Sequence, residues 1–275
     1  MRIAAIGDCL VDIYPDMGMM YPGGNALNVA VAARRAGAEA GFVGAVGDDD
    51  LGKVVLAALR GEQVGYERLR VVPNGPTSHA TVAIVAGERT FTGGDIGVSA
   101  VDLTDEDERY LAGFDLIHTG DNSLIEHYVP RLAALAPISF DFGSRSNDYC
   151  TRLMSCVTVG VFSIDPGKPV EEVLRYAVRG GCRVALGTGG RAGSWVLIDD
   201  TIHHAPAATT TDIVDTLGAG DAFIGAFLVG YLRQDVPATM LRQAAFAAAE
   251  AVSVHGAFGY GRSATAVGST GKRVQ

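Results

Sequence analysis

The chain opens on a short apolar run, Arg2–Ile6, that stops at Gly7-Asp8, and similar runs closed by glycine and acid recur along it. Short stretches rich in Val, Ile and Ala between Gly and Asp read as strands, and apolar positions three and four apart read as helices. On that basis Arg2–Ile6 is a strand, Val29–Ala36 a helix closed by Gly37, and Glu39–Val46 a second strand ended by Gly47-Asp-Asp-Asp50. Leu51, Val54, Val55, Ala58 and Leu59 then fall at helical spacing, and Gly61 stops that helix. Strand, helix, strand, helix in this order predicts a mainly parallel α/β sheet.

The segment 77–99 breaks the rhythm. Ser78–Val85 and Arg89–Thr92 flank Ala86-Gly87-Glu88 and predict a hairpin, which can project from the main sheet as a lid over a cleft. A plain sheet extension or a dimer edge fits the same residues. The alternation resumes with strands at Asp115–His118, Ile138–Phe142, Val157–Phe162 and Cys182–Leu186, and with helices at Leu124–Leu135 and Val170–Arg179. A hairpin from Gly193–Ile198 to Thr201–Ala205 follows, then helices at Ala222–Arg233 and Thr239–Ser253. The expected organisation is one domain over 1–261, with lid strands near 13–22 and 77–99. The polar stretch 262–275 is expected to be a disordered tail.

Composition narrows the function classes. With 275 residues, 48% of them hydrophobic, a single large core is affordable without disulfides or metal. A net charge of −9 argues against a nucleic-acid partner. No apolar run approaches ~20 residues, so no membrane span is expected. The N-terminal run is too short for a signal sequence. Cys9, Cys150, Cys156 and Cys182 form no C-x-x-C pair, which points to reduced thiols in a cytoplasmic protein.

The candidate chemistry lies in Asp215-Thr-Leu-Gly-Ala-Gly-Asp221. Thr209–Val214 before it suits a short strand or strand exit, and Ala222–Leu232 after it suits a buried helix. Gly218, Ala219 and Gly220 are small enough to let an anion reach the backbone, where free N–H groups and the helix dipole would meet it. Asp221 would then sit beside that anion, an awkward place for a carboxylate unless it acts as a base on a transferred group. A glycine-rich turn with an acid favoured by the dipole fits as well. At the other end, Asp12, Gly24, Asn25 and Asn28 offer a carboxylate and two amides beside close-approach glycines. Such a set can bind a polyhydroxylated ligand, or simply form turns.

Two signatures far apart carry a resemblance. Asp215 to Leu228 matches the C-terminal signature of the ribokinase-like (PfkB) carbohydrate kinase family, and Gly23, Gly24, Asn28, Ala30, Gly37 and Gly47 match its N-terminal one. The resemblance spans about residues 1–260 and implies a ribokinase-like three-layer α/β fold with a small β lid. It implies ATP-dependent phosphorylation of a sugar hydroxyl, with Asp221 as base and Gly218, Ala219 and Gly220 as the anion hole. Asp12, Gly24, Asn25 and Asn28 match its sugar-binding positions, and Gly187, Gly189 and Gly190 its nucleotide-phosphate loop, joined by Gly218 and Gly220. In potassium-activated members the position of Asp215 and the backbone near His255-Gly256-Ala257 surround a monovalent cation; a local turn contact explains Asp215 equally well.

Within the family, Ile6–Pro15, Gly23–Val31, Val46–Gly52 and His255-Gly-Ala257 are most similar to members that phosphorylate the 6-hydroxyl of fructoselysine or a related fructosamine, a sugar joined to an amino acid. Lid residues Tyr14, Glu88, Arg89 and Asp95 are candidates to meet the charges of that substrate. A kinase for fructose, ribose or a nucleoside stays open, as does a non-catalytic sugar or nucleotide sensor on the same fold. A dinucleotide oxidoreductase does not, because no G-x-G-x-x-G follows the first strand. One departure concerns metal: the family's Asn-x-x-Glu, which helps hold Mg²⁺, is replaced by Phe162-Ser-Ile-Asp-Pro166, leaving Asp165 as the nearby carboxylate and the Mg²⁺ site undetermined. A homodimer closed through the lid is a further expectation.

Overall fold

A computed structural model describes residues 1–85, 88–210 and 213–264, with side chains described outside 84–89. In chain order the elements are β1 (Arg2–Ile6), β2 (Leu10–Tyr14), β3 (Met19–Gly23), α1 (Asn25–Arg35), β4 (Glu39–Gly47), α2 (Asp50–Gly61), β5 (Gly65–Val72), β6 (His79–Val85) and β7 (Glu88–Asp95). There follow α3 (Asp105–Leu111), β8 (Leu116–Gly120), α4 (Val129–Ala133), β9 (Ile138–Asp141), α5 (Asn147–Thr151), β10 (Val159–Ser163), α6 (Val170–Arg179) and β11 (Val184–Thr188). The chain ends with β12 (Ser194–Ile198), β13 (Thr201–Ala205), α7 (Ala219–Arg233), α8 (Pro237–Ala251) and β14 (Arg262–Ser263).

Among the described residues the main sheet runs β13-β12-β11-β10-β9-β8-β1-β4-β5. It is parallel from β11 to β5, and only the β12–β13 hairpin is antiparallel. Strand alternation sorts the core into layers. Along β1, Ile3 and Ala5 face α1, α2, α7 and α8, whereas Ala4 and Ile6 face α3 to α6. Both faces are buried, which is why these strands are continuously apolar.

Helices α2, α3 and α5 begin at side-chain caps. Asp49 accepts the Gly52 N–H at 2.8 Å at the head of α2, and Thr104 with Asp107 makes a reciprocal capping box on α3. Asp107 is fully buried yet ion-paired to both Arg68, at 2.8 Å, and Arg70. That pair of arginines ties α3 to β5, a strand for which the sequence pattern offers little signal. Pro130 shortens the expected helix over 124–135 to a 3-10 turn and α4. The described residues of 209–214 are not strand.

A second sheet, β14-β3-β2-β6-β7, gathers the segments around 13–22 and 77–99. Strand β2 is parallel to β6 and antiparallel to β3, so the sheet is more than a hairpin. Tyr14, Tyr21 and Val82 form its own small core against Leu217, with the two tyrosine rings edge to face at 5.4 Å. Arg262 and Ser263, within the expected tail, pair with Met20 and Met19; residues 265–275 lie outside the described residues.

Candidate active site

The carboxyl ends of β1, β8 and β9 meet the first turns of α1 and α7. In parallel α/β sheets this edge is where ligands bind. Gly24, with φ of 111°, turns the chain from β3 into α1, and a Cβ there would stand 2.7 Å from the carbonyl of Asp8. Asp8, in the turn after β1, accepts the Asn25 N–H at 2.7 Å and the Ala26 N–H at 3.3 Å at the start of α1, and Ser123 donates to it at 2.8 Å. Burial pushes this carboxyl up, and the three donors oppose that shift.

Asp221 stands in the first turn of α7, and two amides from α1 hold it. Asn25 Nδ2 donates to Oδ1 at 2.8 Å and Asn28 Nδ2 to Oδ2 at 2.7 Å. The other hydrogen of Asn25 Nδ2 goes to Asp141 Oδ2, 2.9 Å away at the end of β9. With its nitrogen committed to two carboxylates, Asn25 must turn its oxygen to His118 Nε2, at 3.2 Å. An amide oxygen only accepts, so Nε2 carries the proton and the bare Nδ1 accepts from Ser139 Oγ at 3.1 Å. His118 is fully buried and desolvation lowers its pKa to about 3, so it stays neutral. Asn28 Oδ1 is buried without a partner among the described residues, an acceptor available to a ligand hydroxyl.

The two glycines of the loop have different surroundings. Gly218 has φ of 74° and caps α7, and a Cβ on it would lie 2.5 Å from that of Ala257. A Cβ on Gly220 would meet nothing within 4 Å. Ala219 and Gly220 border a cavity of about 600 Å³ that also takes in Thr188, Gly190, Ser194, Thr209, Thr210 and Thr216. Its far wall is apolar, with Ala245, Ala248 and Val252 of α8 and its C-terminal end, and among the described residues Arg191 is its charged member. Hydroxyls and the first turn of α7, where the Ala219 N–H makes a long 3.4 Å contact to the Thr216 carbonyl, at one end and small apolar residues at the other suit a nucleotide.

Other sequence candidates fall in varied places. Asp12 is buried in β2, 3% exposed, with its carboxylate against the Cα of Gly23. Gly187 lies within β11 and packs against Ile164 and Leu174, while Gly189 packs on Trp195, so Gly190 is the member of that trio lining the cavity. Arg89 lies in β7 opposite Ile84, and its side chain is outside the described residues. Asp215 makes the turn contact: Oδ1 accepts the Leu217 N–H at 2.9 Å. Its Oδ2 accepts the Tyr14 hydroxyl at 2.6 Å and the Gly256 N–H at 3.0 Å, fastening the small sheet to the loop. Asp165 is exposed and paired with Lys168 at 2.7 Å. Asp8, His118, Ser123 and Asp141 were not assigned roles from sequence. Their signal is positional: Asp8, Ser123 and Asp141 are polar at or just beyond the carboxyl end of a parallel strand, and His118 is a polar residue within one.

Comparison with known proteins gives a matching picture. The family described as pfkB family carbohydrate kinase matches residues 4–136 and 162–259. The fructosamine kinase FrlD of Bacillus subtilis (strain 168) is 38% identical over 270 residues, covering 95% of this chain and 94% of that protein. The fructoselysine 6-kinase of Escherichia coli (strain K12) is 30% identical over 262 residues, covering 93% and 99%. Among solved structures, the Arabidopsis thaliana ribokinase complexed with ribose and ATP superposes with a TM-score of 0.81 at 20% identity, over 94% of each chain. A putative ribokinase II from E. coli, in complex with ATP and Mg²⁺, gives 0.80 at 21% identity, also over 94% of each.

Proposed function

This chain belongs to the pfkB family of carbohydrate kinases, and we propose that its reaction is transfer of the γ-phosphoryl group of ATP to the 6-hydroxyl of a fructosamine, fructoselysine being the first acceptor to try. The observation that carries the chemistry is Asp221 held by Asn25 and Asn28 at the head of α7, one residue beyond Gly220 and its open approach.

Phosphoryl transfer needs its reactants positioned and its spreading negative charge stabilised. Asp221 accepts the proton of the attacking hydroxyl. The amides of Asn25 and Asn28 each donate to one of its oxygens and so fix the orientation of the carboxylate at the head of α7. The N–H groups at Gly218, Ala219 and Gly220 face the transferred group. Asn28 Oδ1 and the Asp12 carboxylate accept from sugar hydroxyls. Mg²⁺, which such a reaction uses to offset phosphate charge, would be held chiefly by the nucleotide's phosphates.

The substrate assignment rests on the extent of similarity to the B. subtilis and E. coli kinases, which spans nearly the whole chain. The test is ATP turnover against fructoselysine, other fructosamines, fructose, ribose and a nucleoside. Phosphorylation of fructosamines with the highest kcat/KM is expected; preference for fructose or ribose would retire the substrate, and no product with any acceptor would retire the kinase. Two further readings belong here. A monovalent cation at Asp215 would share the carboxylate with the donors from Leu217, Tyr14 and Gly256, and activity in potassium against sodium salts tests it. A dimer through the small sheet would cover Phe91 and Ile96, which are 57% and 59% exposed, and light scattering tests that.

A further inference from the structure

Asp141 is the carboxylate in this cleft that the phosphoryl-transfer chemistry leaves unused. Its Oδ2 accepts from Asn25 at 2.9 Å and its Oδ1 from the Gly143 N–H at 2.9 Å. Among the described residues no Lys, Arg or His pairs with it. Arg145, four residues on, is engaged by Asp121 at 2.7 Å. Burial pushes its carboxyl up to about 7, and the negative charges of Asp221 and Asp121 add to that rise. A desolvated acid facing a second acid is a costly arrangement unless a cation is brought to it. Asp8, a buried acid nearby, has its donors already in Ser123, Asn25 and Ala26.

We propose that Asp141 recognises the protonated C1 amine of the acceptor and thereby separates a fructosamine from fructose. This rests on the reading of the chain as a fructosamine kinase. The two sugars differ at C1, where a secondary ammonium with two N–H donors replaces a hydroxyl. Each oxygen of Asp141 spends one lone pair on the protein and keeps one for a ligand. One nitrogen, Nδ2 of Asn25, fixes Asp141 at 2.9 Å and Asp221 at 2.8 Å, so the acid that reads the amine and the acid that takes the hydroxyl proton are set by the same side chain. A neutral hydroxyl in place of the ammonium leaves the Asp141 charge uncompensated, and a site built for a polar group discriminates against the analogue that lacks it.

The test compares kcat/KM for fructoselysine and fructose in the wild type and Asp141→Asn. The fructoselysine value should fall roughly ten- to a hundredfold more than the fructose value, mainly through KM, as loss of a charge-assisted contact implies. Equal losses on both acceptors, or no loss, would overturn the assignment. A second measurement needs no variant: a 1-acylamino analogue of the acceptor, whose nitrogen carries no charge, should lose a similar factor with the wild type. Equal turnover of the charged and neutral acceptors would overturn the assignment too. Failure of the underlying reading is separable, because it is seen in the wild type alone as fructose preferred to fructoselysine.

Discussion

His118 Nε2 sits 3.2 Å from Asn25 Oδ1, on the one side of that amide where a donor is needed. The contact fixes the amide so that its nitrogen faces Asp141 and Asp221, and it passes the orientation of a buried strand residue to the catalytic edge. His118 is a positioning residue, since it touches Asn25 and Ser139 rather than the proposed reactants.

Replacing His118 with Leu leaves Asn25 Oδ1 and Ser139 Oγ without their partner. Stability should fall by about 1–3 kcal/mol, the usual cost of stranding buried polar groups, and kcat should fall about tenfold as Asn25 loosens its hold on Asp221. Thermal unfolding and steady-state kinetics read the two effects. A variant with wild-type kcat would mean that Asn25 is oriented by other contacts.

Asp141 and His118 give opposite pH slopes. Asp141 has a raised folded pKa, so its contribution to stability is greatest below the unfolded value near 3.8 and is lost as pH rises through about 7. His118 has a lowered one, so its contribution is present above about 6.5 and is lost as pH falls toward 3. Asp141→Asn should therefore stabilise the free protein at pH 8 by about 1–2 kcal/mol, discounted for partial exposure, with little gain at pH 4. Denaturant titrations at the two pH values check this; an equal effect at both would refute it. In the wild type, the KM for a fructosamine should rise as pH falls through about 7.

The glycines of the α7 loop should separate folding from activity. In Gly218→Ala the new methyl would be forced toward Ala257 at a positive φ, so stability should drop by about 1–3 kcal/mol and activity with it. Gly220→Ala meets no atom within 4 Å and should fold as well as the wild type or better, yet lose activity because its methyl enters the approach to the loop. Melting temperature beside kcat distinguishes them. An active Gly220→Ala would move the phosphate away from this residue.

The parallel sheet and the site's two ends were legible in the sequence because they rest on local signals. Apolar runs closed by Gly and Asp gave the strands, and the Gly-Ala-Gly-Asp turn and Gly-Gly-Asn stretch marked the loops. Leu10–Tyr14 and Met19–Gly23 were harder, since Pro15, Pro22 and several methionines mask the alternation of strands that become regular only when paired with β6 and β14. Strand β5, with Glu67, Arg68 and Arg70 along it, is stabilised by α3 through Asp107, a long-range contact that no local window contains. The Ser139–His118–Asn25 chain is of the same kind: its members come from β9, β8 and α1, and only register brings them together. Gly187 shows the converse, a motif glycine whose place in β11 serves close packing against Ile164.

The central claim is that Asp221 takes the proton from the acceptor hydroxyl. It is tested most directly by steady-state turnover of ATP with fructoselysine in Asp221→Asn, with nucleotide binding measured in parallel. The expected result is a fall in kcat of about 10²–10⁴-fold, the range for loss of a general base, with nucleotide affinity within a few-fold of wild type. A variant that forms the phosphorylated sugar at close to the wild-type rate would contradict it.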